Sequence, residues 1–172
     1  MPLIVLDTNV VVAALNRVDS VIKRLVGVEP TDVLLPDLVV AELLFGAHTF
    51  NRVAENLAKV ERLVLLFRTV PFDLHAARRF AELKSELRRR GRVKQDFDLA
   101  IASVALGSHA TLITHDGGLL DGAIPDLRVE DWLAKLNHIA ARPFVEQLSR
   151  AARFCIRRCC GVIYGRKRTG PS

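Results

Sequence analysis

The chain carries a series of short, unbroken apolar runs, each halted by an acid or a proline and followed by a longer segment of helical period. Leu3-Ile4-Val5-Leu6 stops at Asp7, and Val33-Leu34-Leu35 stops at Pro36. A strand that alternates apolar and polar residues has one wet face, whereas a strand apolar at every position has none. Such strands belong to a mostly parallel sheet covered by helices on both sides, and this narrows the fold to a three-layer α/β sandwich. Further strands are expected at 69–72, 110–114 and 127–129, with Pro71 marking the third strand as lying at an edge or an end.

The helices between them are read from period and caps. Thr8 and Asn9 suit the cap of whatever helix follows Asp7, and Asp37 suits the N-cap of a helix over 38–45 that Gly46 closes or interrupts. Residues 50–67 place Val53, Leu57, Val60, Leu63, Val64 and Phe67 on one face. Asp73 is expected to cap a helix to about Arg90, and Asp96 to cap another over 97–106 ended by Gly107.

At 172 residues the chain makes one compact domain with an appendage. Residues 1–137 hold 17 Lys and Arg against 18 Asp and Glu, whereas 138–172 hold 8 basic residues and Glu146 alone as an acid. The domain is therefore placed at 1–137 and a basic C-terminal extension at 138–172. The extension reads as partly helical to about residue 156, with Pro143 interrupting it or marking a new helix start, and then as a disordered tail. An electrostatic arm for RNA or an acidic partner is the sharper alternative. Cys155, Cys159 and Cys160 all fall in this stretch; an odd count with an adjacent pair is a poor disulfide framework and lacks a fourth ligand for zinc. No run of about 18 apolar residues suggests a membrane span, the longest candidate (99–112) being broken by Ser103, Ser108 and His109. The first residues lack the basic start of a secretory signal, so a cytoplasmic location is expected.

Four acids stand where acids are unwelcome. Asp7 ends the first apolar strand, and Glu42 interrupts Leu38-Val39-Val40-Ala41-Glu42-Leu43-Leu44-Phe45. Asp98 opens Leu99-Ala100-Ile101-Ala102-Ser103-Val104-Ala105-Leu106, and Asp116 follows the expected strand over 110–114. A buried, unpaired carboxylate is costly unless it is hydrogen-bonded or bound to a cation. Residues just past the carboxyl ends of strands in an open α/β sheet converge on one crevice. Four carboxylates meeting there raise one another's pKa, and a divalent cation with oxygen ligands, Mg²⁺ or Mn²⁺ in its place, relieves them. Each acid also has a plain reading: Asp7 as a helix cap, Asp98 as a partner of the helix dipole, Asp116-Gly117-Gly118 as an ordinary turn.

Leu6-Asp7-Thr8-Asn9, Val40-Ala41-Glu42-Leu43-Leu44-Phe45-Gly46-Ala47, Phe97-Asp98-Leu99-Ala100-Ile101-Ala102, Leu112-Ile113-Thr114-His115-Asp116 and Pro125-Asp126-Leu127-Arg128-Val129-Glu130-Asp131-Trp132 follow in this order. In that order and spacing the chain resembles the PIN-domain nucleases, and among them the VapC-type toxins of toxin–antitoxin pairs. The resemblance covers residues 3–132. It implies a metal-dependent endoribonuclease that hydrolyses RNA phosphodiesters, with Asp7, Glu42, Asp98 and Asp116 as catalytic, metal-holding acids. Thr8, Asn9 and Thr114 are implied as their supports. RNA as substrate, a cognate antitoxin protein and a homodimer are the partners it implies, with no membrane. The chain departs from the pattern at Gly118, where another acid often stands.

Two further assignments concern the surface. Leu87-Arg88-Arg89-Arg90-Gly91-Arg92-Val93-Lys94 puts five cations shortly before Asp98, so Arg89, Arg90, Arg92 and Lys94 are candidate RNA contacts. A solvated helix end is the plain alternative. Apolar faces over 11–26 and 38–67 are candidate homodimer or antitoxin contacts. Rival functions remain: a non-toxin RNA-processing or RNA-binding regulatory protein of the same fold, or a metal-binding domain without turnover. A phosphatase of the haloacid dehalogenase type needs a second acid where Asn9 stands, and no Gly-x4-Gly-Lys-Ser/Thr supports nucleotide binding.

Overall fold

The computed structural model describes residues 2–134, so the assignments made for 138–172 lie outside the described residues. Five strands, β1 (Ile4–Leu6), β2 (Val33–Pro36), β3 (Arg68–Val70), β4 (Thr111–Ile113) and β5 (Val129–Glu130), form one sheet in the order β3-β2-β1-β4-β5. Every pairing is parallel. All residues of β1, β2 and β4 are buried, so both faces of the sheet's middle are covered, as the wholly apolar runs of β1 and β2 require. β3 leaves Arg68 and Thr69 exposed and closes one edge, which is where Pro71 pointed.

Among the described residues seven α-helices connect the strands: α1 (Thr8–Leu15), α2 (Asp19–Leu25), α3 (Asp37–Thr49), α4 (Val53–Leu66), α5 (Leu74–Arg89), α6 (Asp96–Gly107) and α7 (Gly117–Leu120). The lateral course of the chain reverses after β3. Right-handed crossovers therefore lay the helices that follow β1 and β2 on one face and those that follow β3 on the other. α6 is buried at Leu99 and at every residue from there to Ala105, which explains why its sequence shows no polar face. Among the described residues no helix is long and apolar enough to cross a membrane.

Several local expectations are corrected. Pro36, not Asp37, occupies the N-cap of α3; the Asp37 carboxylate instead accepts the Phe72 amide at 3.1 Å and ties α3 to the segment after β3. Gly46 does not end α3, which continues to Thr49. The segment after β1 forms two helices, separated by a turn in which Arg17 has φ 58°. Asp96 lies inside the first turn of α6 behind Gln95 and pairs with Lys84 of α5. Asp73 caps α5 as expected, accepting the Ala76 amide at 2.9 Å.

Candidate active site

The register of the sheet builds the site. Leu6 lies opposite Ile113, and the Asp7 amide donates to the Ile113 carbonyl at 3.0 Å, so Asp7 and Thr114 emerge side by side at the carboxyl ends of the two strands. This is where the strand order turns from β2 on one side of β1 to β4 on the other, the place where open α/β sheets form their crevice. The Asp7 side chain is 5% exposed and has three donors. Its Oδ2 accepts from Thr114 Oγ1 at 2.6 Å and Asn9 Nδ2 at 2.7 Å, and its Oδ1 from the Thr8 amide at 2.7 Å. Asp7 therefore both caps α1 and enters the acidic cluster.

Thr8 turns its hydroxyl the other way and donates to Glu42 Oε2, joining α1 to α3. Thr114 is fully buried; besides donating to Asp7, its hydroxyl accepts the Asp116 amide at 3.0 Å. Asn9 is held by His115, whose amide donates to Asn9 Oδ1 at 3.1 Å. The residues expected as supports are thus wired directly into the acids. Replacing Thr114 by Val keeps the volume but strips one donor from Asp7 and one acceptor from the Asp116 amide. Thr114→Val is expected to lower kcat by about 10- to 100-fold and stability by about 1–3 kcal/mol. RNA cleavage and urea unfolding check it; wild-type behaviour in both would show the hydroxyl to be idle.

The four carboxyls are coupled electrostatically. Burial raises the Asp7 pKa above the ordinary value, against the lowering effect of Thr114 and Thr8, and Glu42 and Asp116 push it further up. Asp98, half-buried in the first turn of α6, is raised to about 6 by burial and then by Asp116, Asp7 and Glu42. Asp116 is also within hydrogen-bonding reach of Asp98. Among the described residues no Lys, Arg or His forms an ion pair with any of these four.

This donor set fits a hard divalent cation. Its atoms are all carboxylate oxygens, and their mutual repulsion is relieved by positive charge. Among the described residues no three His, Cys, Asp or Glu side chains are grouped closely enough to hold a metal ion by themselves. Mg²⁺ does not require such a group, because it keeps several waters and takes one or two carboxylates together with substrate oxygens.

Outside the acids, the structure rearranges the expected surface roles. Lys94 does not stand free: its side chain is 8% exposed, and its ammonium donates to the Gly118 carbonyl and the Asp121 carboxylate. Arg90, the C-cap residue of α5, pairs with Glu86 of that helix, and Arg92 lies 3.7 Å from Asp121. Arg89 makes no ion pair among the described residues, and all three arginines are exposed. Reading the sequence missed one pair at the rim. His115 Nδ1 lies 2.9 Å from Asp131, whose Oδ1 also accepts the Leu133 and Ala134 amides. The only signal for it was the position of His115 between Thr114 and Asp116.

A PIN domain model matches residues 4–124. Ribonuclease VapC2 of Rickettsia felis is 30% identical over 129 residues, which is 74% of this chain and 96% of that protein. The crystal structure of VapBC2 from the same organism, bound to a DNA fragment from its promoter, superposes with a TM-score of 0.69 at 28% identity, covering 76% of this chain and 98% of that one. VapBC-5 of Mycobacterium tuberculosis, described as a member of the VapBC family of toxin–antitoxin systems, superposes with a TM-score of 0.57 at 30% identity over 76% of this chain and 98% of that one. Matched over most of its length in sequence and in fold, the chain belongs to the PIN-domain family and stands among its VapC proteins.

Proposed function

We propose that this chain is a metal-dependent endoribonuclease, acting as the toxin of a toxin–antitoxin pair and using Mg²⁺, with Mn²⁺ as a substitute. The observation that carries the reading is the convergence of Asp7, Glu42, Asp98 and Asp116 at the carboxyl ends of β1 and β4 without a balancing cation among the described residues. The names of its ribonuclease and toxin–antitoxin relatives support the substrate class and the biological role.

Asp7, Glu42, Asp98 and Asp116 would hold the cation, which supplies Lewis acidity: it lowers the pKa of water and offsets charge on the phosphate oxygens. The chain's own residues do the positioning. Asn9 and Thr114 fix the Asp7 carboxylate, and Thr8 fixes Glu42. No side chain is needed as nucleophile. The solvent-exposed residues Arg89, Arg90 and Arg92 precede Asp98 in the chain and suit phosphate contacts. Replacing all three by Ala is expected to flatten the slope of log Kd against log salt by about 2, near 0.7 per lost contact for single-stranded RNA. An unchanged slope in a filter-binding titration would return them to a plain solvated helix end.

The apolar side chains Phe45 (73% exposed), Phe50 (69%) and Leu65 (85%) lie in or beside α3 and α4, where homodimer or antitoxin contacts are expected. The test of the function is cleavage of a mixed tRNA and rRNA pool in Mg²⁺, with Asp98→Asn as the control. Metal-dependent cleavage by the wild type alone supports a ribonuclease. No cleavage of any RNA in the pool would leave a metal-binding domain without turnover as the better reading.

A further inference from the structure

Lys94 is the one cation of the basic run that is half-buried and not exposed. Its neighbours Arg92, Val93 and Gln95 are exposed, while its own side chain is 8% exposed. An ammonium withdrawn from water is costly unless its donors are used, and a fixed geometry is what the cost returns. Its two partners lie 24 and 27 residues away, at Gly118 and Asp121. Arg92 approaches the same Asp121 carboxylate at 3.7 Å, and the other Asp121 oxygen accepts the Ala123 amide at 3.0 Å. Lys94 holds the Asp121 carboxyl below its ordinary pKa.

Gly118 transmits the contact. Its carbonyl is gripped by Lys94, while its amide donates to Asp116 Oδ1 at 2.6 Å. A Cβ on Gly118 would sit 3.1 Å from that same oxygen, so the loop passes Asp116 with no room to spare. On the other side, Lys94 stands two residues before α6 and four before Asp98. The ammonium therefore links the segment that launches Asp98 to the loop that presents Asp116.

We propose that Lys94 is a positioning residue for the metal-holding acids, a strut that sets the approach of Asp116 to Asp98. The proposal rests on the metal-dependent reading above. Lys94→Met keeps the aliphatic stem and removes the ammonium. It is expected to weaken Mn²⁺ binding by about tenfold and lower kcat for RNA by about 10- to 100-fold. RNA affinity in EDTA should stay within about twofold of wild type, because no phosphate contact is lost. Lys94→Arg, which retains a cation and several donors, should recover part of both losses. Combining Lys94→Met with Asp121→Asn should cost less than the sum of the two changes, since they act through one contact.

The rival is a direct grip on RNA, and the measurements separate it. Weaker RNA binding in EDTA with unchanged Mn²⁺ affinity would overturn the strut and make Lys94 a phosphate contact. Should Lys94→Met fail to fold, Asp121→Asn carries the same test: reduced Mn²⁺ affinity with unchanged RNA affinity supports the strut, and wild-type Mn²⁺ affinity overturns it. A wild-type chain that neither binds Mn²⁺ nor cleaves RNA brings down the metal-dependent reading and the strut together. A wild type that does both, matched by its variants, brings down the strut alone.

Discussion

Asp98→Asn is expected to reduce RNA cleavage at neutral pH by about three orders of magnitude while leaving the protein folded. Several kcal/mol of charge stabilisation is the usual contribution of a metal site to such a reaction, and about 1.4 kcal/mol corresponds to each tenfold. Asn has the size and shape of Asp but neither its charge nor its strength as a metal ligand. The same exchange should help the metal-free fold. Asp98 is held at a pKa of about 6 by burial and by three neighbouring acids, so at pH 7.5 its negative charge is a liability in the absence of a cation. In EDTA the variant should melt at or above the wild-type Tm, and the Tm rise that Mg²⁺ gives the wild type should shrink or vanish. A variant that cleaves within tenfold of wild type would remove Asp98 from the catalytic set. A variant that melts far below wild type in EDTA would contradict the like-charge account of the cluster.

How much of this was legible in the sequence depended on how far each residue's partner lies along the chain. β1 and β2 were readable because a wholly apolar run of three or four residues has few homes other than a covered parallel strand. The four acids were readable for the converse reason. An ionisable group set in an apolar frame has no local neutraliser, so its answer had to come from other elements. The errors fell where a residue had both a local and a distant partner on offer. Asp37 and Asp96 have the residue type and position of N-caps, yet one binds the Phe72 amide and the other Lys84. Local propensity ranks a cap highly but cannot see a backbone amide 35 residues away. Lys94 is the extreme case: in sequence it belongs to a solvated basic run, and only the fold brings Gly118 and Asp121 to it.

Removing the metal is expected to abolish cleavage and to expose the proton balance of the cluster. With EDTA present, activity should fall to background at every pH, since no side chain among the supports offers an alternative Lewis acid. Stability should then respond to pH in a definite direction. The Asp98 pKa is about 6 in the folded chain against 3.8 ordinarily, so between those values the folded state binds the extra proton. Stability from this group is therefore greatest at low pH and is lost as pH rises from about 4 to about 6, after which it stays constant. Asp7 is shifted in the same direction. Groups elsewhere, such as Asp121, are shifted the opposite way, so the raw Tm profile mixes both. The difference between Asp98→Asn and wild type in EDTA isolates the effect: the variant's advantage should grow from pH 4 to pH 6 and then level off. Mg²⁺ should act in the reverse sense. Protons compete with the cation for the same carboxylates, so the Tm increment from Mg²⁺ should increase across that window in the wild type. A Tm difference that is flat between pH 4 and pH 6 would show that Asp98 titrates as an ordinary surface acid. The crowding of Asp98 by Asp7, Glu42 and Asp116 would then fall with it.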